Sequence, residues 1–210
     1  MINIIPAVLP KNLAELEEGL RVLKGLSPLV QVDVIADIFA GQESLPLWEE
    51  FDFEFDLFVE PAPFVTRALE LGASRIIVHA RFASAREALE RLQNSRGGEY
   101  PVLVGVALRS IDTLAALEPF AGLYDFVQVM GISNEGQQGQ DFDPHALGLV
   151  RALRAADPQL PLQVDGHAAG HERELVEAGA TRLIVGSAIL DADDPRAAYK
   201  EIYNRANGSH

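Results

Sequence analysis

The sequence predicts an α/β fold, a single (β/α)8 TIM barrel over residues 1–210. Short apolar, β-branched runs alternate with amphipathic segments along the whole chain, which is the order of strands and helices in such a barrel. The length of 210 residues also suits this fold, whose usual size is roughly 250 residues with a lower limit near 200. A doubly wound open sheet satisfies the same two observations and is the alternative.

An internal repeat favours the closed barrel. Residues 68–78 read ALELGASRIIV, and residues 175–185 read LVEAGATRLIV. The shift between the two segments is close to half the chain, and it aligns the fourth predicted strand with the eighth. Two related half-barrels predict such a repeat, whereas an open sheet does not require it.

Eight strands are predicted from the apolar runs. They cover residues 2–9, 29–34, 53–59, 75–79, 101–107, 125–129, 161–165 and 182–185. Between them, leucines at helical spacing predict a helix over 13–23, and similar patterns predict helices over 85–92, 146–154 and 172–178. We expect Ser84 to cap the second of these helices and Gly179 to end the last. Residues 41–50 carry little helical pattern.

The composition excludes several classes of function. Seventeen Lys and Arg against 31 Asp and Glu give a formal charge of −14, so neither a nucleic acid nor an anionic membrane is an expected partner. The absence of cysteine removes disulfides, thiolate nucleophiles and Cys-ligated zinc. No apolar run approaches the roughly 20 residues of a spanning helix, and the first residues lack a basic signal-peptide region. We therefore expect a cytoplasmic location.

Carboxylates stand at the ends of three predicted strands. Asp33 follows Gln31 on the inward face of strand two, Asp56 lies near the end of strand three, and Asp165 ends strand seven. In a barrel this end holds the active site. An Asp within an apolar strand is costly unless it is paired, hydrogen-bonded or metal-bound, although any one of them could simply cap a helix. Three such residues in one barrel favour a functional site.

Two of these carboxylates suit proton transfer. Asp33 and Asp165 approach the barrel mouth from opposite sides. One can remove a proton from one face of a substrate while the other returns a proton to the opposite face of a planar intermediate. The lysines, at positions 11, 24 and 200, do not lie at the ends of strands two to eight, so a Schiff-base aldolase lacks its nucleophile.

The last two strands also offer an anion site. Gly166 follows strand seven, and Gly186 and Ser187 follow strand eight at the start of a helical segment. These two loops are the usual phosphate position in the fold. Close helix–strand packing is the alternative explanation for Gly186. Gly136 and Gly139, after strand six, belong to a loop that could cover a ligand.

In these motifs the sequence resembles the ribulose-phosphate 3-epimerases, nearly from end to end. The opening IPAVL is similar to the family's Pro-Ser-Ile-Leu, and the segment VDVI around Asp33 to its Asp-Val-Met. The segment DLFVEP from Asp56 resembles His-Leu-Met-Val-x-x-Pro. Further matches are residues 105–108, 127–130, 136–142, 164–166 and 186–189.

The resemblance implies a metal-assisted epimerisation at C3 of a ketopentose phosphate, in which Asp33 and Asp165 are the acid–base pair and also metal ligands. It implies a phosphate site at Gly166, Gly186 and Ser187, and a substrate loop that includes Met130, Gly136 and Gly139. Gln31 and Asp56 stand where the family has two metal-binding histidines.

The resulting set of possible ligands (Gln31, Asp33, Asp56 and Asp165) offers only oxygen, which favours Mg²⁺ or Mn²⁺ over Zn²⁺. A metal-free site is the alternative, and there at least one of the crowded carboxylates should hold a proton. A homo-oligomer is a further expectation from the resemblance.

Two other functions stay open from the sequence. One is a different phosphosugar reaction on the same scaffold, such as decarboxylation or aldol cleavage. The other is a non-catalytic barrel that binds a phosphorylated ligand or a protein partner. The non-catalytic alternative is supported by the loss of both family histidines, at Gln31 and Asp56. Further departures from the family pattern are Ala7 for Ser and His167 for the second Gly of Asp-Gly-Gly.

Overall fold

The computed structural model describes residues 1–95, 102–133 and 140–208. Eight parallel strands follow one another in chain order around a closed barrel, and β1 completes the circle by pairing with β8. The strands are β1 Asn3–Val8, β2 Leu29–Val34, β3 Asp52–Leu57, β4 Arg75–His79, β5 Leu103–Leu108, β6 Phe126–Met130, β7 Leu162–Asp165 and β8 Arg182–Val185. The barrel prediction is confirmed, and the open sheet is excluded.

The helices surround this barrel. They are α1 Leu13–Leu23, α2 Pro61–Glu70, α3 Ala85–Asn94, α4 His145–Ala156, α5 Glu172–Ala178, α6 Ser187–Leu190 and α7 Pro195–Asn207. Helix α1 begins where the side chain of Asn12 accepts a hydrogen bond from the main-chain N–H of Glu15. As predicted, α5 ends at Gly179, whose φ of 117° is the left-handed conformation that favours glycine. Ser84 stands at the N-cap position of α3, as predicted, but its side chain does not cap the helix, because the hydroxyl donates to Glu60 instead, at 2.6 Å.

Two connections depart from the regular pattern. Residues 35–51, between β2 and β3, contain no helix, which agrees with their weak helical pattern in the sequence. The guanidinium of Arg67 on α2 holds this segment by donating to the carbonyls of Phe39 and Gln42, and the ring of Phe39 stacks on Phe55. Between β5 and β6 the only helical segment among the described residues is a 3-10 helix, Leu114–Phe120.

Strand alternation separates two kinds of interior. Outward-facing side chains such as Val32 and Phe55 are buried against the helices in a large apolar core. Several inward-facing side chains inside the barrel are polar instead, and those that are fully buried are Gln31, Glu54, Asp56, Gln128 and Gln163. Among the described residues, no helix is both long enough and apolar enough to cross a membrane.

Candidate active site

A pocket of about 360 Å³ opens at the carboxyl ends of the strands. Asp33 and Asp165 lie in its wall, together with the apolar side chains of Phe58, Met130 and Ile132. The loops after β7 and β8 complete it, and they contribute Gly166, His167, Gly186, Ser187 and Asp191. This is the end of a TIM barrel where active sites occur.

Three carboxylates converge beside this pocket, and two of them, Asp33 and Asp165, line it. Asp33 on β2 pairs in register with Asp56 on β3, and Asp165 is the last residue of β7. One oxygen from each of the three lies within 4.8 Å of the others. The strand alternation turns all three side chains into the barrel, which the sequence pattern indicated for β2 and β3.

Burial and mutual repulsion change the acidity of these groups. Burial, followed by the charges of Asp165 and Asp56, raises the pKa of Asp33 well above its ordinary value. Burial and the charge of Asp56 raise the pKa of Asp165 to about 7. A pKa of about 7 lets Asp165 act as base or acid near neutral pH, and the raised pKa of Asp33 favours the protonated form of that carboxyl. The pair can therefore present a carboxylate and a carboxylic acid to the same pocket.

Side-chain donors surround the carboxylates. The Nε2 atom of Gln31 donates to Asp33 Oδ1 at 2.8 Å and to Asp165 Oδ2 at 3.3 Å, so a single amide bridges the pair. Asp56 is held between the Nε2 atoms of two other residues, His79 at 2.7 Å and Gln128 at 2.6 Å. These contacts fix the carboxylates in one arrangement.

A second polar layer lies below the carboxylates. Glu54 is fully buried, accepts a hydrogen bond from Gln163 at 2.7 Å and forms an ion pair with Arg75 at 3.5 Å. Burial raises the pKa of Glu54 to about 7 even though Arg75, Gln163 and Arg182 all act in the opposite direction. The polar interior therefore continues from the pocket toward the amino ends of the strands.

The loops after β7 and β8 form the opposite side of the pocket. Gly166 has φ of 102°, and a Cβ atom there would lie 2.9 Å from the side chain of Ile132, so both conformation and space require glycine. Gly186 directly precedes Ser187, the first residue of α6. His167 occupies the left-handed region with φ of 51°, which is uncommon for a residue other than glycine.

The chemistry of the three carboxylates fits a divalent cation. They offer hard oxygen atoms close together, which Mg²⁺ and Mn²⁺ prefer, and a cation there would offset the repulsion that raises the pKa of Asp33 and Asp165. Gln31 presents its amide nitrogen to the carboxylates, while its oxygen faces Gln163. In this arrangement Gln31 is a hydrogen-bond donor.

The structure brings most of the predicted site residues to one place. Those in the pocket wall are Asp33, Asp165, Gly166, Gly186, Ser187 and Met130, and Gln31 and Asp56 contact the carboxylates or belong to them. Gly136 and Gly139 lie outside the described residues. The catalytic, metal-binding and phosphate-binding roles of all these residues remain predictions.

Sequence reasoning missed Gln128 and Gln163, which contact the site from β6 and β7. A signal was present, since each is a polar residue between apolar neighbours in a strand, the same pattern that indicated Asp33. The sequence also did not indicate the hydrogen bond between His79, at the end of β4, and Asp56 on the neighbouring strand β3.

Known proteins with similar sequences belong to the family that the sequence motifs resemble. The model of the "Ribulose-phosphate 3 epimerase family" matches residues 3–190. The chain is 30% identical to ribulose-phosphate 3-epimerase of Schizosaccharomyces pombe, over 96% of this chain and 92% of that protein. It is 28% identical to the enzyme of the same name from Bacillus subtilis, over 96% of this chain and 98% of that protein.

Solved structures with lower sequence identity share the fold. A 3-hexulose-6-phosphate synthase from Salmonella typhimurium aligns over 100% of both chains, with a TM-score of 0.72 and 16% identity. An orotidine 5'-phosphate decarboxylase from Pyrococcus horikoshii aligns over 98% of this chain and 99% of that chain, with a TM-score of 0.63 and 18% identity. At these identities the similarity supports the barrel architecture alone.

Proposed function

Because the chain belongs to the ribulose-phosphate 3-epimerase family, we propose that it interconverts ribulose 5-phosphate and xylulose 5-phosphate by inverting C3. The observation that carries this proposal is the pair of carboxylates, Asp33 and Asp165, which face one pocket and have raised pKa values. An epimerase needs one base and one acid on opposite faces of the substrate, and this pair supplies both.

The proposed reaction breaks the C–H bond at C3 on one face of the substrate and forms a new C–H bond at C3 on the opposite face. The C3 hydrogen of the substrate is acidic because C3 adjoins the C2 ketone. One carboxylate of the pair, in its ionised form, takes this proton from one face, which leaves a planar enediolate. The other, in its protonated form, then donates its proton to the other face of C3, and the configuration is inverted. In the reverse direction the two residues exchange roles, and proton exchange with solvent restores the starting state.

The three carboxylates Asp33, Asp56 and Asp165 would hold a divalent cation, Mg²⁺ or Mn²⁺. When bound, the ion supplies Lewis-acid stabilisation of the negative charge that develops on the substrate oxygens. Asp56 is positioned for this role by His79 and Gln128, which hold its two oxygens from different strands.

The substrate phosphate would bind at the far side of the pocket. The proposed partners are the main-chain N–H groups around Gly166, Gly186 and Ser187, in the position that TIM barrels use for phosphate. Met130 and Phe58 provide apolar contacts to the carbon chain between the two ends. The loop that contains Gly136 and Gly139 would cover the bound sugar.

Proton NMR of ribulose 5-phosphate in D₂O tests the proposal. With the protein and Mg²⁺ or Mn²⁺ present, we expect deuterium at C3 together with xylulose 5-phosphate. Asp33→Asn and Asp165→Asn should each lower kcat by about a hundredfold or more, because an amide cannot replace a general base or acid. Asp52→Asn, which makes the same change at an exposed position of β3, is the matched control and should retain activity.

The same experiment separates the alternatives. Removal of metal with EDTA, followed by addition of Mg²⁺, Mn²⁺ or Zn²⁺ in turn, should restore turnover best with one of the first two. Absence of deuterium exchange under every metal condition would overturn the epimerase proposal. If a pentose phosphate still raised the melting temperature in that case, a non-catalytic binding role would be favoured.

A further inference from the structure

Three glutamines form an amide layer directly beneath the carboxylates. Gln31, Gln128 and Gln163 come from β2, β6 and β7, and all three side chains are fully buried. A buried amide has two different ends, one that donates and one that accepts, and a swap of the two ends changes what it offers to its neighbours. The orientation of each amide therefore matters for the site above.

The orientation of Gln163 is set by three oxygen atoms. Its Nε2 lies 2.7 Å from Glu54 Oε1, 2.8 Å from Gln128 Oε1 and 3.3 Å from Gln31 Oε1. The reverse orientation would place the Gln163 oxygen against three acceptor oxygens. Since an amide nitrogen carries two hydrogens, the three acceptors share two donors, and all of them favour the same end of Gln163.

The orientation of Gln163 determines how the amides of Gln31 and Gln128 are turned. Gln31 and Gln128 turn their oxygens toward Gln163, so their nitrogens face the carboxylates. Gln31 thereby donates to both Asp33 and Asp165, and Gln128 donates to Asp56. If Gln31 were reversed, its oxygen would face two carboxylate oxygens and its nitrogen would face the nitrogen of Gln163.

We propose that Gln163 is a positioning residue, which orients Gln31 as the hydrogen-bond donor that bridges Asp33 and Asp165 and excludes the Gln31 oxygen from metal binding. The inference rests on the proposed function, because it takes Asp33 and Asp165 as the acid–base pair. It changes the expected metal site from four protein ligands to three carboxylates. Glu54 anchors the arrangement by accepting from Gln163 on the side away from the pocket.

A double-mutant cycle with kinetics tests the link between the two glutamines. Gln163→Met and Gln31→Met remove the amides at similar side-chain length. Each should lower kcat by at least about fivefold while KM stays within about twofold, because the phosphate side of the pocket is unchanged. The double variant should lose little more than either single variant, since Gln163 acts through Gln31. Smaller losses in folded single variants, or multiplicative losses in the double variant, would overturn the proposal.

Mn²⁺ binding provides a readout that does not need turnover. In titrations of metal-free protein with Mn²⁺ alone, Gln31→Met and Gln163→Met should raise the dissociation constant to values within about threefold of each other, because both disturb the hydrogen bonds to the carboxylates and neither removes a ligand atom. A much larger weakening in Gln31→Met than in Gln163→Met would show that the Gln31 oxygen binds the metal and would overturn the proposal. Gln159→Met is the matched control, because Gln159 is exposed and lies at the opposite end of β7.

Neutron diffraction from crystals of the deuterated full chain decides the orientation even if the methionine variants do not fold. Amide deuterons of Gln31 directed at Asp33 and Asp165 would support the proposal, and deuterons directed at Gln163 would overturn it. A wild-type protein without epimerase activity would defeat the proposed function, whereas the neutron map and the Mn²⁺ titration would still report on Gln163 and Gln31.

Discussion

The units that end in β4 and β8 are related in sequence, yet they contribute different chemistry to the site. Both turn at a glycine with positive φ, Gly72 at 79° and Gly179 at 117°, and both then place a buried alanine, Ala73 and Ala180, before the strand. The local structure is thus repeated between the two halves of the barrel. The repeat that predicted a barrel from the sequence is a repeat of this scaffold.

The similarity extends into the barrel interior. β4 begins with Arg75 and β8 begins with Arg182, at equivalent positions of the repeat. Both guanidinium groups act on the same buried carboxylate, Glu54, with Arg75 in an ion pair and Arg182 stacked over Phe126. The two half-barrels therefore place equivalent charges at the amino end of the barrel.

The two halves differ at the residue that directly follows the repeated segment. His79 ends β4, is buried and contacts Asp56, whereas the equivalent position after β8 is Gly186, which leaves only main chain at the pocket wall. One half provides a side chain beside the carboxylates, and the other provides backbone beside the proposed phosphate site. Related scaffolds thus acquire separate roles through the residue at the carboxyl end of the strand.

His79→Gly makes the end of β4 resemble the end of β8 and should have the largest effect on stability. The change removes the contact with Asp56 and the packing of the imidazole on Phe58, whose ring centroid is 4.5 Å away. We expect a loss of about 2 to 4 kcal/mol in the free energy of unfolding, measured by urea denaturation. His79→Gln, which retains an N–H donor, should recover part of this loss. A cost below about 1 kcal/mol for His79→Gly would show that the side chain contributes little there.

Glu54→Gln tests how the buried carboxyl group that interacts with Arg75 of β4 and Arg182 of β8 affects stability. The folded pKa of Glu54 is about 7 against an ordinary value of 4.5, so between these values the folded protein binds a proton that the unfolded chain does not. Glu54 therefore lowers stability as pH rises from about 4.5 to about 7 and adds no further slope above that range.

In urea denaturation with EDTA at several pH values, Glu54→Gln should reduce this negative slope by up to about 1.4 kcal/mol per pH unit. Glu43→Gln, an exposed control with the same change in charge, should leave the slope as in wild type. Parallel pH profiles for Glu54→Gln and wild type would contradict the expectation.

The hydroxyls of Ser74 and Thr181, which precede β4 and β8, should contribute different amounts to the stability of the fold. Ser74 donates to the carbonyl of Phe53 at 3.1 Å, and Thr181 donates to the carbonyl of Leu162 at 3.0 Å but also accepts from the N–H of Leu162. We expect Ser74→Ala to cost about 1 kcal/mol and Thr181→Val to cost more, because the latter loses two bonds. Thermal and urea unfolding of both variants would check this order, and equal costs would mean that the second bond adds nothing.

Gly186→Ala should have the smallest effect and should act on binding. A Cβ atom there would lie 3.3 Å from the main-chain oxygen of Ala7, a tight contact that shifts the backbone slightly. If the main-chain N–H groups of this loop bind phosphate, KM for ribulose 5-phosphate should rise by about threefold with kcat nearly unchanged. Gly148→Ala, in α4 with open space around it, is the control. A fall in kcat without a change in KM would contradict a phosphate role.

Much of the site could be predicted because its signal is local. The alternation of β2 and β3 indicated that Asp33 and Asp56 lie on the polar face of their strands, and the position of these two residues and of Asp165 near strand ends indicated the barrel mouth. The same alternation was present around Gln163, but a single buried amide gives no sign of which of its ends is used. Ser84 was misjudged for a related reason, since a competing partner, Glu60, comes from another loop.

The sequence by itself determined the eight strands, the closed barrel through its half-chain repeat, and the set of carboxylates at one end. Only the tertiary structure decided which side chains meet inside the barrel. Gln163 contacts Gln31 and Glu54, which lie 132 and 109 positions away in the chain, and these contacts fix the orientation of the amides. Periodicity records the direction of a side chain from its own strand, whereas the distance and orientation across the barrel depend on strand register and on which buried acceptor each donor reaches.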